Sequence, residues 1–150
     1  MNIIPFRPAH AIELEHGPLK IETERPAQDL TQHYELAADN GLSFSAIVNG
    51  WVIASAGLMP LWPGVAEAWL LASNRIDQHA IAIGRAVRLR FKNMIEAEQL
   101  HRVQAAIRSD TPSLVRLPQW LGMKHEGHMP AYDQFGADYE RYALTKKDNA

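Results

Sequence analysis

The chain reads as a mixed α/β (α+β) domain, a mostly antiparallel sheet flanked by helices. Three observations predict it. Two apolar, partly β-branched runs, 42–48 and 51–58, meet at Asn49-Gly50, the strongest short-range signal for a two-residue hairpin. A long segment of helical period, 83–100, runs directly into the strand-like 101–107. A turn, Ser109-Asp110-Thr111-Pro112, then opens a short amphipathic stretch that leads, through residues 124–128 and a turn near Tyr132, to a last strand over 139–144. The resulting order is β-α-α-β-β-β-α-β-α-β-β. A meander followed by strand-helix-strand builds a mixed sheet between helices.

Each element has a local cause. Residues 2–6 form a first strand ended at Pro8, and 9–15 a short helix stopped by Gly17-Pro18. Residues 26–39 form a second helix. Pro26 suits an early helical position, Leu30, Tyr34 and Ala37/Ala38 share one face, and Asn40-Gly41 ends it. Pro60-Leu61-Trp62-Pro63-Gly64 breaks the chain again, and 65–72 is the third strand of the meander. In 83–100, Val87, Phe91, Met94, Ile95 and Glu98 recur at helical spacing, with Arg88, Lys92, Glu96 and Gln99 on other faces. Asp110 or Thr111 caps the next helix with Pro112 in its first turn, and Pro118 makes that helix short or kinked.

Composition narrows the function classes. The 150 residues suit one domain with a sizeable core, and no repeat or linker divides them. A net charge of −2 and a pI near 6.4 supply no global field for nucleic acid or an anionic membrane. The absence of cysteine excludes disulfides, thiolate nucleophiles and thiolate metal sites, and fits a cytoplasmic protein. The N-terminal residues lack the pattern of a signal peptide. No apolar run approaches the roughly 20 residues that span a bilayer, so no membrane partner is expected.

Several C-terminal segments resemble one family. Leu121-Gly122-Met123 followed by Glu126-Gly127 is similar to the leucine-glycine-phenylalanine and glutamate-glycine segment after the last helix of the GNAT acyl-CoA N-acyltransferases. Asp138-Tyr139 with Tyr142-Ala143-Leu144 is similar to their final strand, and His101-Arg102-Val103 to their penultimate core strand. The resemblance covers residues 2–146, most clearly from Val65 onward. A narrower similarity, carried by Arg7-Pro8-Ala9-His10, the 69–74 strand end and the basic helix after Gly84, is to a phage branch that resembles small internal virion proteins.

The family resemblance implies acetyl-CoA as cofactor, its pyrophosphate held at the N-terminus of the helix after the central strand. Free N–H groups and the helix dipole favour an anion there, and glycine lets the backbone approach it. The family pattern, Gln/Arg-x-x-Gly-x-Gly/Ala, fits two registers. From Gln78 both small positions are isoleucine, Ile81 and Ile83. From Ile81 the pattern keeps Gly84 and Ala86 and loses the leading polar residue, and this register is preferred. Arg85, Arg88 and Arg90 supply positive charge, or simply form a solvated face. Thr111 stands where the family often has asparagine, leaving Ser113 to meet the cofactor arm. The backbone N–H of Leu71 or Ala72 is assigned to the thioester carbonyl.

Acetyl transfer to an amine needs a base, an oxyanion donor and an acid for the thiolate. By the resemblance the base is Glu67 and the acid Tyr132. Glu67 is a lone charge in Val65-Ala66-Glu67-Ala68-Trp69-Leu70. Burial would tune it toward proton transfer; the alternative is a side chain on the open face of the strand. Tyr132 is either the acid or a hairpin tyrosine with a wet hydroxyl. His125-Glu126-Gly127-His128 is not the zinc-helix spacing, and in a strand positions three apart face opposite sides, so no metal site is expected.

Two functions follow. One is an N-acetyltransferase for an amine on a small molecule or protein. The other is a phage or prophage protein that kept the fold without the chemistry and works in the virion beside phage structural proteins. Nucleic-acid binding through Arg85, Arg88, Arg90 and Lys92 is disfavoured by the acidic chain and the lack of interleaved aromatics. A homodimer is an expectation of the fold, through an exposed strand.

Overall fold

The strands run across one sheet in the order β1-β2-β3-β4-β5-β7-β6. They are β1 (Asn2–Pro5), β2 (Ser43–Val48), β3 (Trp51–Trp62), β4 (Val65–Ala72), β5 (Arg102–Arg108), β6 (Lys124–Met129) and β7 (Tyr139–Thr145). The helices are α1 (Pro8–His16), α2 (Thr31–Asp39), α3 (Ala80–Ala97) and α4 (Pro112–Trp120). This computed structural model describes residues 1–16 and 31–149, and the expected helix start at Pro26 and stop at Gly17-Pro18 lie outside them. The mixed α/β class holds, with β4 and β5 pairing in parallel and β1–β2, β2–β3, β5–β7 and β6–β7 antiparallel. Two compact units divide the chain: Met1–Met59 with Trp69–Met94, and Pro60–Ala68 with Ile95–Ala150.

In the first unit the Asn49-Gly50 hairpin forms as expected. Both residues take positive φ, 50° and 80°, directly between the paired Val48 and Trp51. Phe6, Ala11, Leu14, Tyr34, Ala37, Val52 and Leu71 make a buried cluster, with Ile47, Met59 and Trp69 packed on it. Gly57 of β3 lies where a Cβ would stand 2.7 Å from the Leu42 carbonyl and 2.9 Å from the Trp69 ring. Helix α3 buries Ile83, Gly84, Val87 and Phe91, one face at helical spacing. Its start is a correction. A 3-10 turn over Ile76–His79 leads into α3 at Ala80, so Gly84 sits in the second turn and not at the helix start. Its end is also earlier than expected. Gln99 at φ 53° receives the Schellman pattern, its N–H donating to Glu96 O and that of Leu100 to Ile95 O.

In the second unit β4 contributes Val65–Glu67 to the parallel pairing, opposite Arg102, Val103 and Gln104. Gly64, at φ 84°, accepts from the N–H groups of His101 and Arg102, and a Cβ there would run into the His101 ring. Helix α4 packs on β5 and β6. It is short, as Pro118 predicts, and closes on Gly122 at φ 88°, whose N–H donates to Gln119 O while that of Met123 donates to Pro118 O. The expected cap is not made. Thr111 occupies the N-cap position, but its hydroxyl donates 2.7 Å to the Arg108 carbonyl, and Asp110 instead holds the Arg108 guanidinium.

Candidate active site

Glu67 is the single charged side chain of β4. The parallel register sets Gln104 opposite it, and Gln104 Nε2 donates to Glu67 Oε2 at 2.8 Å. Arg141, the one cation of β7, crosses from beyond β5 and donates through Nη1 to Glu67 Oε1 at 3.0 Å and Oε2 at 3.2 Å. Its Cα partner on β5 is the small Ala106. The Glu67 and Arg141 side chains are 27% and 18% exposed. The expectation of a lone carboxylate, desolvated or wet, is therefore corrected: Glu67 is half-buried and ion-paired.

Tyr132 meets the same guanidinium. Its ring lies 5.9 Å under Arg141 Cζ and its hydroxyl 3.4 Å from Nη2. The turn that carries it is tied by Asp133, whose Oδ1 accepts from the N–H groups of Phe135 and Ala137, while Tyr132 N–H donates to Ala137 O at 2.8 Å. The Ala137 N–H holds the Asp133 carboxyl below the usual range. Tyr132 also packs on Tyr139 with ring centroids 5.1 Å apart, and it remains half exposed. Glu67 and Tyr132, remote in sequence, thus share Arg141. No motif marks Arg141 or Gln104. The one signal available was that a lone anion in one strand and a lone cation in another need each other when half-buried.

The same face continues from Gln104 to Arg102, which donates to Gln104 Oε1 at 2.9 Å and forks onto Glu126 at 2.9 and 2.5 Å. Glu126 reaches it because of a bulge. The β6–β7 register shifts between His125 and Gly127, and one extra residue reverses the alternation. That overturns the expectation that His125 and His128 face opposite sides. Both bind Glu140, at 2.9 Å from His125 Nε2 and 2.6 Å from His128 Nδ1. Glu140 also accepts from the Ser109 hydroxyl.

The residues expected at the cofactor fall as follows. In the first unit, Leu71 is buried in the Phe6 cluster and Ala72 is half-buried on β4. Gly84 is buried, Ala86 half-buried and Arg85 exposed. Since α3 starts at Ala80, directly after the 3-10 turn of Ile76–His79, its first-turn residues are Ala80, Ile81 and Ala82, three exposed residues. Gly84 is past that turn, within the helix's own ladder. In the second unit, Ser113 lies in α4 and its side chain falls outside those described. Arg90, assigned to a solvated basic face, stacks on Phe44 at 5.3 Å.

No family model and no curated protein matches the sequence. Solved structures do match the fold. A ribosomal-protein-alanine N-acetyltransferase from Escherichia coli superposes with a TM-score of 0.72 at 15% identity, over 96% of this chain and 92% of that one. A protein assigned as an acetyltransferase from Salmonella typhimurium, solved with its cofactor acetyl-CoA, gives 0.68 at 20% identity, over 96% and 92%. A GNAT-family acetyltransferase from Bacillus anthracis gives 0.64 at 17% identity, over 89% and 81%. With this sheet order and this near-complete overlap, the chain has the fold of the GNAT acetyltransferases.

Proposed function

We propose that the chain is an N-acetyltransferase that moves an acetyl group from acetyl-CoA to an amine. The fold likeness supports the class without fixing it, and the observation that carries the reading is the meeting of Glu67 and Tyr132 on one guanidinium. Acetyl-CoA, when bound, supplies an acyl carbon activated as a thioester. The start of α3 is the place assigned to its pyrophosphate, with Ala80, Ile81 and Ala82 exposed and the exposed Arg85 one turn on. Isoleucines at positions 81 and 83 give that end less backbone access than glycines would. Leu71 and Ala72 offer N–H groups for the carbonyl oxygen, and Ala86 keeps the helix surface small next to the buried Gly84. Ser113 is assigned to the cofactor arm.

Glu67 takes the proton that the amine loses as the new C–N bond forms, and Tyr132 returns one to the departing thiolate as the C–S bond breaks. Arg141 holds the tyrosine hydroxyl in place, 3.4 Å from its Nη2. The test is calorimetric titration with acetyl-CoA and CoA, then thiol release with an amine panel. Micromolar binding, weakened at least about tenfold by Arg85→Glu, and turnover lowered about 10²–10⁴-fold by Glu67→Gln are expected. A folded protein that binds neither ligand at millimolar concentration overturns the reading. The phage alternative then becomes the one to test, by looking for the chain in purified particles.

A further inference from the structure

We propose that Arg141 anchors a carboxylate of the acceptor, so that the amine acetylated belongs to a molecule bearing both groups close together, such as an amino acid or a short peptide. This rests on the acetyltransferase reading and names its substrate class. The geometry of three ion pairs in the second unit carries it. Arg102 forks onto Glu126 through Nη1 and Nη2. Arg108 forks onto Asp110 through Nε and Nη2, at 3.0 and 2.9 Å. Each uses two nitrogens on two oxygens, the strong bidentate form. Arg141 does not. Nη1 alone carries Glu67, Nη2 has only the 3.4 Å contact with the Tyr132 hydroxyl, and Nε donates to no described residue. Trp69 Nε1 is the buried side-chain nitrogen without a partner among the described residues, so Arg141 Nε keeps contact with solvent.

One edge of the guanidinium, Nε with Nη2, is thus half-buried and open, the shape that receives a carboxylate side-on. Beside it stands Glu67, a negative charge for an ammonium group. Glu67 has three hydrogen bonds from Gln104 and Arg141, which leaves one acceptor position on its two oxygens for the incoming amine. An acceptor carboxylate that draws Arg141 toward itself loosens the Glu67 contact when the amine arrives. Ligand and base are thereby coupled through one side chain.

The experiment compares amino acids and dipeptides with their C-terminal amides. Wild-type protein should prefer the free carboxylate in kcat/KM by on the order of tenfold to a hundredfold. Arg141→Gln should abolish the preference and Arg141→Lys retain part of it, mainly in KM. A second arm needs no turnover: the Arg141 Nε–H resonance, identified by its loss in Arg141→Lys, should shift with the carboxylate form and not with the amide. Transfer without preference and without a shift overturns the anchor and leaves the acetyltransferase reading standing. A shift without transfer to any amine keeps the anchor and overturns that reading. Neither shift nor transfer overturns both.

Discussion

At the scale of single residues, Glu140 is a carboxylate shared by three side chains. The Ser109 hydroxyl first, then His128 and His125, hold it down to about 2 from an ordinary 4.5. His128 is in turn raised above 6.5, by Glu140 first and Asp138 after it. The signs differ. A depressed carboxylate stabilises the fold above its unfolded value, and that contribution is lost as pH falls from 4.5 toward 2. A raised histidine stabilises below 6.5, and its contribution is lost as pH rises through the shifted value. The difference in unfolding free energy between wild type and Glu140→Gln should therefore peak between pH 4.5 and 6.5 and shrink on both sides. Denaturant melts across pH would measure it, and a difference independent of pH would contradict the shared-carboxylate account. This arrangement was hidden from the sequence because strand alternation separates His125 from His128, and only the bulge at Glu126 reunites them.

At the scale of elements, helix ends show how local chemistry is read. Gly41 and Gly122 both take positive φ just past a helix, as their residue type predicts. Gln99 does the same work with a side chain that the left-handed region disfavours by roughly 1–2 kcal/mol. Gln99→Gly should then raise stability by about 1 kcal/mol, visible as a higher denaturant midpoint with an unchanged slope. No gain would mean that the added freedom of glycine in the unfolded chain offsets the relief. The start of α3 was legible less well. His79, directly before Ala80, is not a capping residue type, so glycine at position 84 was read as the start, and the helix simply runs through it with Gly84 buried. Likewise a threonine before proline promised a cap, yet the Arg108 carbonyl is the acceptor its hydroxyl finds.

At the scale of the whole molecule, no helix among the described residues is long and apolar enough to cross a membrane. The fold likeness extends over 96% of the chain at 15% identity, which is what a conserved order of elements on divergent side chains produces. If that fold still serves a cofactor, ligand binding must stabilise it. Acetyl-CoA at a hundred times its Kd should add about 2.7 kcal/mol, a rise of several degrees in Tm for a chain of this size. A Tm indifferent to acetyl-CoA at every concentration would speak for a fold without its ligand.

The fold was legible because its instructions are local. Asn49-Gly50 sets a hairpin by positive φ, a 3.6 period sets α3, and Leu121-Gly122-Met123 closes α4 before β6. Glu67 and Tyr132 were legible as candidates, one as a lone charge in a strand and the other as a turn tyrosine. Their common partner was not. Arg141 meets Glu67 across 74 residues, because β7 inserts beside β5 and the small Ala106 lies opposite it. Residue types and spacings specify which elements form. Strand order and register determine which charges become neighbours, because half-buried charges are stable only beside the partners that packing supplies.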